Sequence, residues 1–250
     1  MPTLYNSPLA TALTSFNIQC TQFYCDRCHE ATSQLKLLKK KSCKRIPKSL
    51  SEPIMDTIEK QGHKRHGSVD SIATVCLLNR YLQSIPCLDI DLAENIRHLI
   101  PSRVSILSRW SLVYSLDQHG ASLNTLYQKC KESSGPCLLV IRDSYGETFG
   151  AYLTESIHKN SSFYGTGECF LWNKQAQKVC LYSWTSKNNH MIYSDQDILA
   201  IGNGEGGFGL CLHSDLIHGY TEPCATFDNP ALTVTNAFEC IGLEIWSFLY

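Results

Sequence analysis

"DILAIGNGEGGFGLCLH", residues 197–213, holds a literal G-x-G-x-x-G at Gly202, Gly204 and Gly207, directly after the apolar run Ile198–Ile201. A dinucleotide-binding loop needs its last glycine to open a helix, because the helix's first amides and positive dipole end hold the pyrophosphate. Here Phe208, Leu210 and Leu212 follow at a period of two, the signature of a strand. Glu205 would place a negative charge inside the phosphate cradle, and no Lys-Ser/Thr pair follows the glycines. The stretch therefore reads as two strands, "ILAI" and "FGLCL", joined by a glycine-bearing hairpin connection.

The same signals recur outward from this hairpin. "WSLVYS" (110–115) alternates Trp110, Leu112 and Tyr114 on one side, and "CLLVIRD" (137–143) leads through the turn "DSYGE" (143–147) into "TFGAYL". "ECFLWNK", "KVCLYSW", "HMIYS" and the closing "CIGLEIWSFL" add further short runs joined by tight turns. In the last of these, Glu244 is expected to face water or pair with a basic neighbour, with Trp246 anchoring the opposite layer. A helix is expected after Ser122, its cap, with Leu123, Leu126, Tyr127 and Cys130 on one face, closed before Gly135-Pro136. Another starts at Asp91, with Glu94 reaching back to complete the cap and Leu92, Ile96, Leu99 and Ile100 as its apolar face, stopped by Pro101. A helical spacing of Val69, Ile72, Val75/Cys76 and Asn79/Arg80 begins at Ser68 and ends near Pro86. Many short strands with few helices between them give an α+β chain, mainly an antiparallel β-sandwich flanked by a few helices.

Charge divides the 250 residues unevenly. Residues 1–90 carry 12 Lys+Arg against 7 Asp+Glu, and residues 91–250 carry 10 against 16. The expected divisions are an irregular basic extension over 1–67, a helical lead-in over 68–91 and one domain over 92–250. No apolar stretch approaches the roughly 18 residues a membrane span needs, and the first residues lack the basic start and apolar core of a secretory signal. A cytoplasmic setting follows, with the thirteen cysteines mostly as thiols. The first 51 residues hold only Asp26 and Glu30 as acids beside eight Lys/Arg, a weak resemblance to a mitochondrial transit segment.

Six blocks in order resemble the TLDc domain of the oxidation-resistance family: "RWSLVYSLDQHGASLNTLY" (109–127), "GPCLLVIRDSYGETFGAYL" (135–153), "FYGTGECFLW" (163–172), "ILAIGNGEGGFGLCLHSDLIHGY" (198–220), "PCATFDNPAL" (223–232) and "FECIGLEIWSF" (238–248). The resemblance covers roughly 92–250. It implies the TLDc β-sandwich and a non-enzymatic interaction module that supports resistance to oxidative stress. It also implies a partner, the cytosolic sector of the vacuolar proton-pumping ATPase (its peripheral stalk and catalytic subunits), with disassembly or inhibition of the pump as the outcome. The chain would then work as a monomer in the cytoplasm or, through that partner, at the vacuolar membrane surface.

The residues weighed for chemistry each have a plain structural reading. "YCDRCHE" offers Cys25, Cys28 and His29, with Cys20, Cys43, His63 and His66 as further ligands, but no two-knuckle zinc spacing and no strand before a redox dithiol. Asp117, His119 and Ser122 lie close in "LDQHGAS" and suggest a strand-to-helix turn more than a triad, which needs convergence in space. Cys137, Cys169, Cys180 and Cys211 fall in strand-like runs, as small buried hydrophobes. Neither catalytic residues nor a cofactor or metal are expected. The loop residues expected to meet a partner are Asp117, His119, Gly165, Gly167, Glu168, Glu205, Gly206 and Gly207. The alternative is a cysteine-based peroxide-scavenging or redox enzyme.

Overall fold

The computed structural model describes residues 73–250, all within one compact unit, His66–Tyr250. The basic extension, the C-x-x-C-H stretch and the first residues of the helical lead-in lie outside the described residues. Twelve strands are described: β1 (Cys76–Leu78), β2 (Arg109–Ser115), β3 (Cys137–Asp143), β4 (Thr148–Leu153), β5 (Asn160–Tyr164), β6 (Phe170–Gln175), β7 (Lys178–Ser183), β8 (Ile192–Ser194), β9 (Ile198–Gly204), β10 (Gly207–His213), β11 (His218–Tyr220) and β12 (Ala237–Leu249). Helices α1 (Ile90–Arg97), α2 (Ser102–Ser105), α3 (Leu116–His119) and α4 (Leu123–Cys130) fall between the early strands.

One sheet runs β1-β2-β12-β3-β4-β6-β7 and the other β5-β8-β9-β10-β11-β12, every pair antiparallel except β1–β2. The thirteen-residue β12 belongs to both. Its first residues pair with β11, Glu239 opposite His218, and from Cys240 onward it pairs with β3, and then with β2. Two cores result. Leu139, Ile141, Phe149 and Leu171 of the first sheet pack against Leu199, Ile201, Leu210 and Leu212 of the second. On the first sheet's other face Leu138, Val140, Tyr152, Trp172 and Trp246 pack against Leu92, Ala93 and Ile96 of α1. Covered on both sides, the central strand β3 has nearly every residue buried, which is why "CLLVI" reads as an unbroken apolar run.

Two irregularities shift the period-two pattern. Ile245 pairs with Tyr114 and Trp246 with Leu112, leaving Val113 as an extra residue in β2. Tyr114 is thereby turned into the core between the sheets while Trp110 and Leu112 face α1, so the three do not share a face as their alternation predicted. Ile241 is the corresponding extra residue in β12, between Cys240 opposite Asp143 and Gly242 opposite Arg142. Phe238 and Cys240 before it, and Leu243 and Ile245 after it, then reach the same core.

The helix read from Ser68 to Pro86 is not formed where the residues are described. Residues 76–78 are a strand beside β2 and the chain then runs extended or in turns to Asp89. Asn79 at φ +67 and Pro86 interrupt any helix there, and Arg80 is spent on the tertiary contact described below. The cap of α1 is Asp89, not Asp91: its carboxylate accepts the Leu92 amide at 2.7 Å. Glu94 does not reach back to close a capping box but accepts the Val75 amide at 2.5 Å, tying the entering chain to the helix. Ser122 caps α4 as expected, accepting the Thr125 amide at 3.3 Å, and Leu123, Leu126, Tyr127 and Cys130 are buried.

Candidate partner-binding surfaces

The opening hairpin closes on Glu205-Gly206, with Gly204 opposite Gly207. Its glycines serve packing. A Cβ on Gly202 would stand 2.6 Å from the Phe227 ring, on Gly209 2.6 Å from Leu171, and on Gly204 2.5 Å from the Ala225 amide nitrogen. The segment 223–230 lies on the hairpin at a distance that only glycine permits. Thr226, fully buried, fixes it: its Oγ1 accepts the Asn203 amide at 2.8 Å and donates to Asn188 Oδ1 at 2.8 Å.

That network reaches the second glycine loop. Asn188 donates from Nδ2 to the Asn203 carbonyl at 3.2 Å and accepts the Trp184 indole N–H at its own carbonyl, 2.6 Å. The Trp184 ring lies against Gly167, where any Cβ would overlap it. Gly165 takes φ +89 to bring the chain off β5, and Glu168 forms an exposed two-bond ion pair with Arg103 of α2. Gly165, Gly167, Glu168, Glu205, Gly206 and Gly207 therefore sit on loops joined through Trp184, Asn188 and Thr226, with Glu205 and Gly206 exposed at the hairpin tip. His190 belongs to the same face, stacked on Phe163 at 4.4 Å between ring centroids.

Asp117 and His119 are elsewhere, on α3. His119 stacks on Tyr114 and its Nδ1 accepts the Ser115 amide at 3.0 Å, while Asp117 is exposed. Burial and the nearby Lys129 charge hold the His119 pKa below its ordinary value, so the ring is neutral with its proton on Nε2. Since Ser122 Oγ accepts the Thr125 amide, Asp117, His119 and Ser122 share no hydrogen bond and form no triad. His119 lines a cleft of about 680 Å³ with Arg80, Tyr81, Lys129 and Tyr250.

Glu244 departs from the expectation that it faces water, though it does pair with a basic neighbour. It is 1% exposed, on the same strand face as Trp246. Its carboxylate accepts the Leu88 amide and the Trp246 indole N–H, each at 3.0 Å, and pairs with Arg80 at 3.3 Å. Arg80 in turn lies over the Trp246 ring, 5.4 Å from its centroid. Trp246 thus anchors the helical side, beside Glu244 rather than opposite it. Alternation two residues apart in "LEIWSF" carried that signal.

Of the nine described cysteines, Cys76 is exposed and Cys180 half-buried, and the other seven are buried. Burial pushes the Cys87, Cys130 and Cys240 thiols up to about 12 and Cys211 to about 11, with Cys137, Cys169 and Cys224 raised likewise. Among the described residues no three His, Cys, Asp or Glu side chains are grouped as metal ligands.

A two-sheet sandwich closed by a shared strand, with glycine loops gathered at one end, is matched along residues 82–249 by the model of the TLDc domain family, and the chain belongs to that family. Among curated proteins it is similar to Oxidation resistance protein 1 of Yarrowia lipolytica, 39% identical over 163 residues, covering 62% of this chain and 71% of that protein. It is 35% identical over 182 residues to Oxidation resistance protein 1 of Kluyveromyces lactis, covering 62% of this chain and 73% of that protein. Nuclear receptor coactivator 7 of Mus musculus is 39% identical over 155 residues, 62% of this chain but only 16% of that longer protein.

Proposed function

We propose that this chain is a protein-binding module that supports resistance to oxidative stress by binding the cytosolic sector of the vacuolar proton-pumping ATPase and favouring its disassembly or inhibition. Family membership over residues 82–249, together with relatives named for oxidation resistance, carries the reading. The physical sense is linkage: a protein that binds the detached sector more tightly than the assembled pump shifts the assembly equilibrium toward separation. The fixed glycine loops suit this role, because a preorganised surface loses little entropy on binding.

Full-length protein mixed with purified assembled pump is expected to bind the cytosolic sector at micromolar concentration and to lower ATP-driven proton transport. Folded protein that neither binds nor lowers transport overturns the proposal. For thiol-based peroxide chemistry, the described residues offer only Cys76 and Cys180 within reach of an oxidant. Stress protection is expected to survive Cys76→Ser with Cys180→Ser.

A further inference from the structure

The cleft beside His119 has the construction of a peptide site. β1 pairs with β2 only as far as Leu78 opposite Ser111. Asn79, at φ +67 and with its Nδ2 bonded to Ser111 Oγ at 2.8 Å, ends that pairing, and the chain is next held at Gln118 of α3, whose Oε1 accepts the Tyr81 amide at 2.9 Å and the Ser84 hydroxyl at 3.2 Å. From Leu112 onward no described strand lies on that side of β2. The open edge runs into the 680 Å³ cleft, whose lining includes Leu112 and the extra residue Val113. That volume falls within the roughly 300–1,000 Å³ of ordinary ligand sites. An unpaired strand edge bonds another extended backbone, and a bulge beside it aims side chains out of the regular pattern.

The side chains give the sign of the ligand. With Nδ1 engaged by the Ser115 amide, His119 has its Nε2–H to donate, and that donor has no partner among the described residues. Lys129 makes no ion pair among the described residues, and its charge is close enough to depress the His119 pKa. Arg80 lines the cleft too, but is committed to Glu244. Glu132, the acid in the lining, also acts on His119, but more weakly than Lys129 does. In a domain whose residues 91–250 carry a net negative charge, this cleft is a place where an acidic group is welcome. Tyr81, 58% exposed, and Tyr250, 93% exposed, border it as aromatic anchors.

We infer that this cleft binds an extended segment of a protein partner, which continues β1's pairing along β2 past Ser111 and places an Asp or Glu carboxylate against Lys129 and His119. The inference rests on the reading of the chain as a protein-binding module and adds a mode of recognition to it.

The test uses amide and imidazole NMR of the full chain with two synthetic peptides, acetyl-Thr-Val-Glu-Val-Thr-Val-amide and the same peptide with Lys for Glu, and with inorganic phosphate. The acidic peptide at millimolar concentration is expected to shift the Ser111–Tyr114 amides and the His119 ring. The Lys peptide should bind about tenfold more weakly, and Lys129→Glu should reverse that order, since exchanging attraction for repulsion at contact amounts to about that factor even at water's dielectric constant. No shift with the acidic peptide, an equal response to both peptides, or an equal response to phosphate overturns the inference. Binding of the pump is scored separately. Peptide failure with pump binding intact removes the cleft and leaves the function, whereas peptide binding without pump binding does the reverse.

Discussion

At the scale of single residues, protonation is where environment acts most visibly. Seven described thiols are held above their ordinary pKa by burial. Since the thiolate is the reactive form, iodoacetamide at neutral pH should label Cys76 and Cys180 of the native protein, and the other seven only after denaturation. Peptide mass spectrometry reads this directly, and native labelling at Cys130 or Cys137 would show that the core opens. The exposed pair Asp215–His218 makes the opposite kind of shift. Although burial alone would raise the Asp215 pKa, the His218 side chain and the His218 and Ile217 amides bring it down to about 2, and the same bond raises His218. A raised histidine stabilises below its unfolded pKa of about 6.5 and loses that contribution as pH climbs through the folded value. A lowered carboxylate stabilises above about 3.9 and loses it as pH falls toward 2. His218 should therefore titrate above an ordinary histidine by NMR, and Asp215→Asn should return it toward the normal value.

At the scale of elements, close approach decides more than propensity. Gly150 on β4 has the Leu139 carbonyl where a Cβ would lie, and Gly204 has the Ala225 amide there. Gly150→Ala and Gly204→Ala are each expected to cost about 1–3 kcal/mol, because both obstacles are backbone and cannot rotate away. A melting temperature unchanged from wild type for either would mean that the strands separate more easily than their pairing implies. The strands and α4 were legible because their apolar residues recur at the right period and Ser122 is a cap with no competitor. What was hidden is what depends on another segment. The extra residues Val113 and Ile241 leave no mark in composition, so the face of Tyr114 could not be read. Residues 76–78 form a strand only because β2 offers them an edge. "GNGEGG" announced glycine, but the reason lies in "PCATF", twenty residues on. Glu244 looked like a surface acid because its three partners come from Arg80, Leu88 and Trp246. Of the candidate interface residues, the hairpin and Gly165–Glu168 loops were marked by glycine, whereas Trp184, Asn188 and Thr226, which join them, carried no local signal.

At the scale of the whole described unit, Glu244 connects parts of the chain that are 164 residues apart, from Arg80 to the closing strand. Removing one partner of a buried ion pair typically costs about 3–5 kcal/mol, so Glu244→Ala should lower stability by several kcal/mol in urea titrations. A double-mutant cycle of Arg80→Ala and Glu244→Ala should give a coupling energy above about 0.5 kcal/mol. Additive effects would mean that the entering segment and the sheet are stabilised independently.

The membership of β12 in both sheets also bears on biosynthesis. While residues 237–249 are still inside the ribosome, β11 lacks a neighbour on one side and β2 and β3 lack the strand that joins them. Until those residues emerge, neither half of the sandwich can be sealed, and the exposed edges of a nascent chain are surfaces that a chaperone would hold or another chain would capture. A premature stop codon before Ala237 would thus remove the one strand on which both sheets depend, and the product would be degraded or aggregated rather than partly functional.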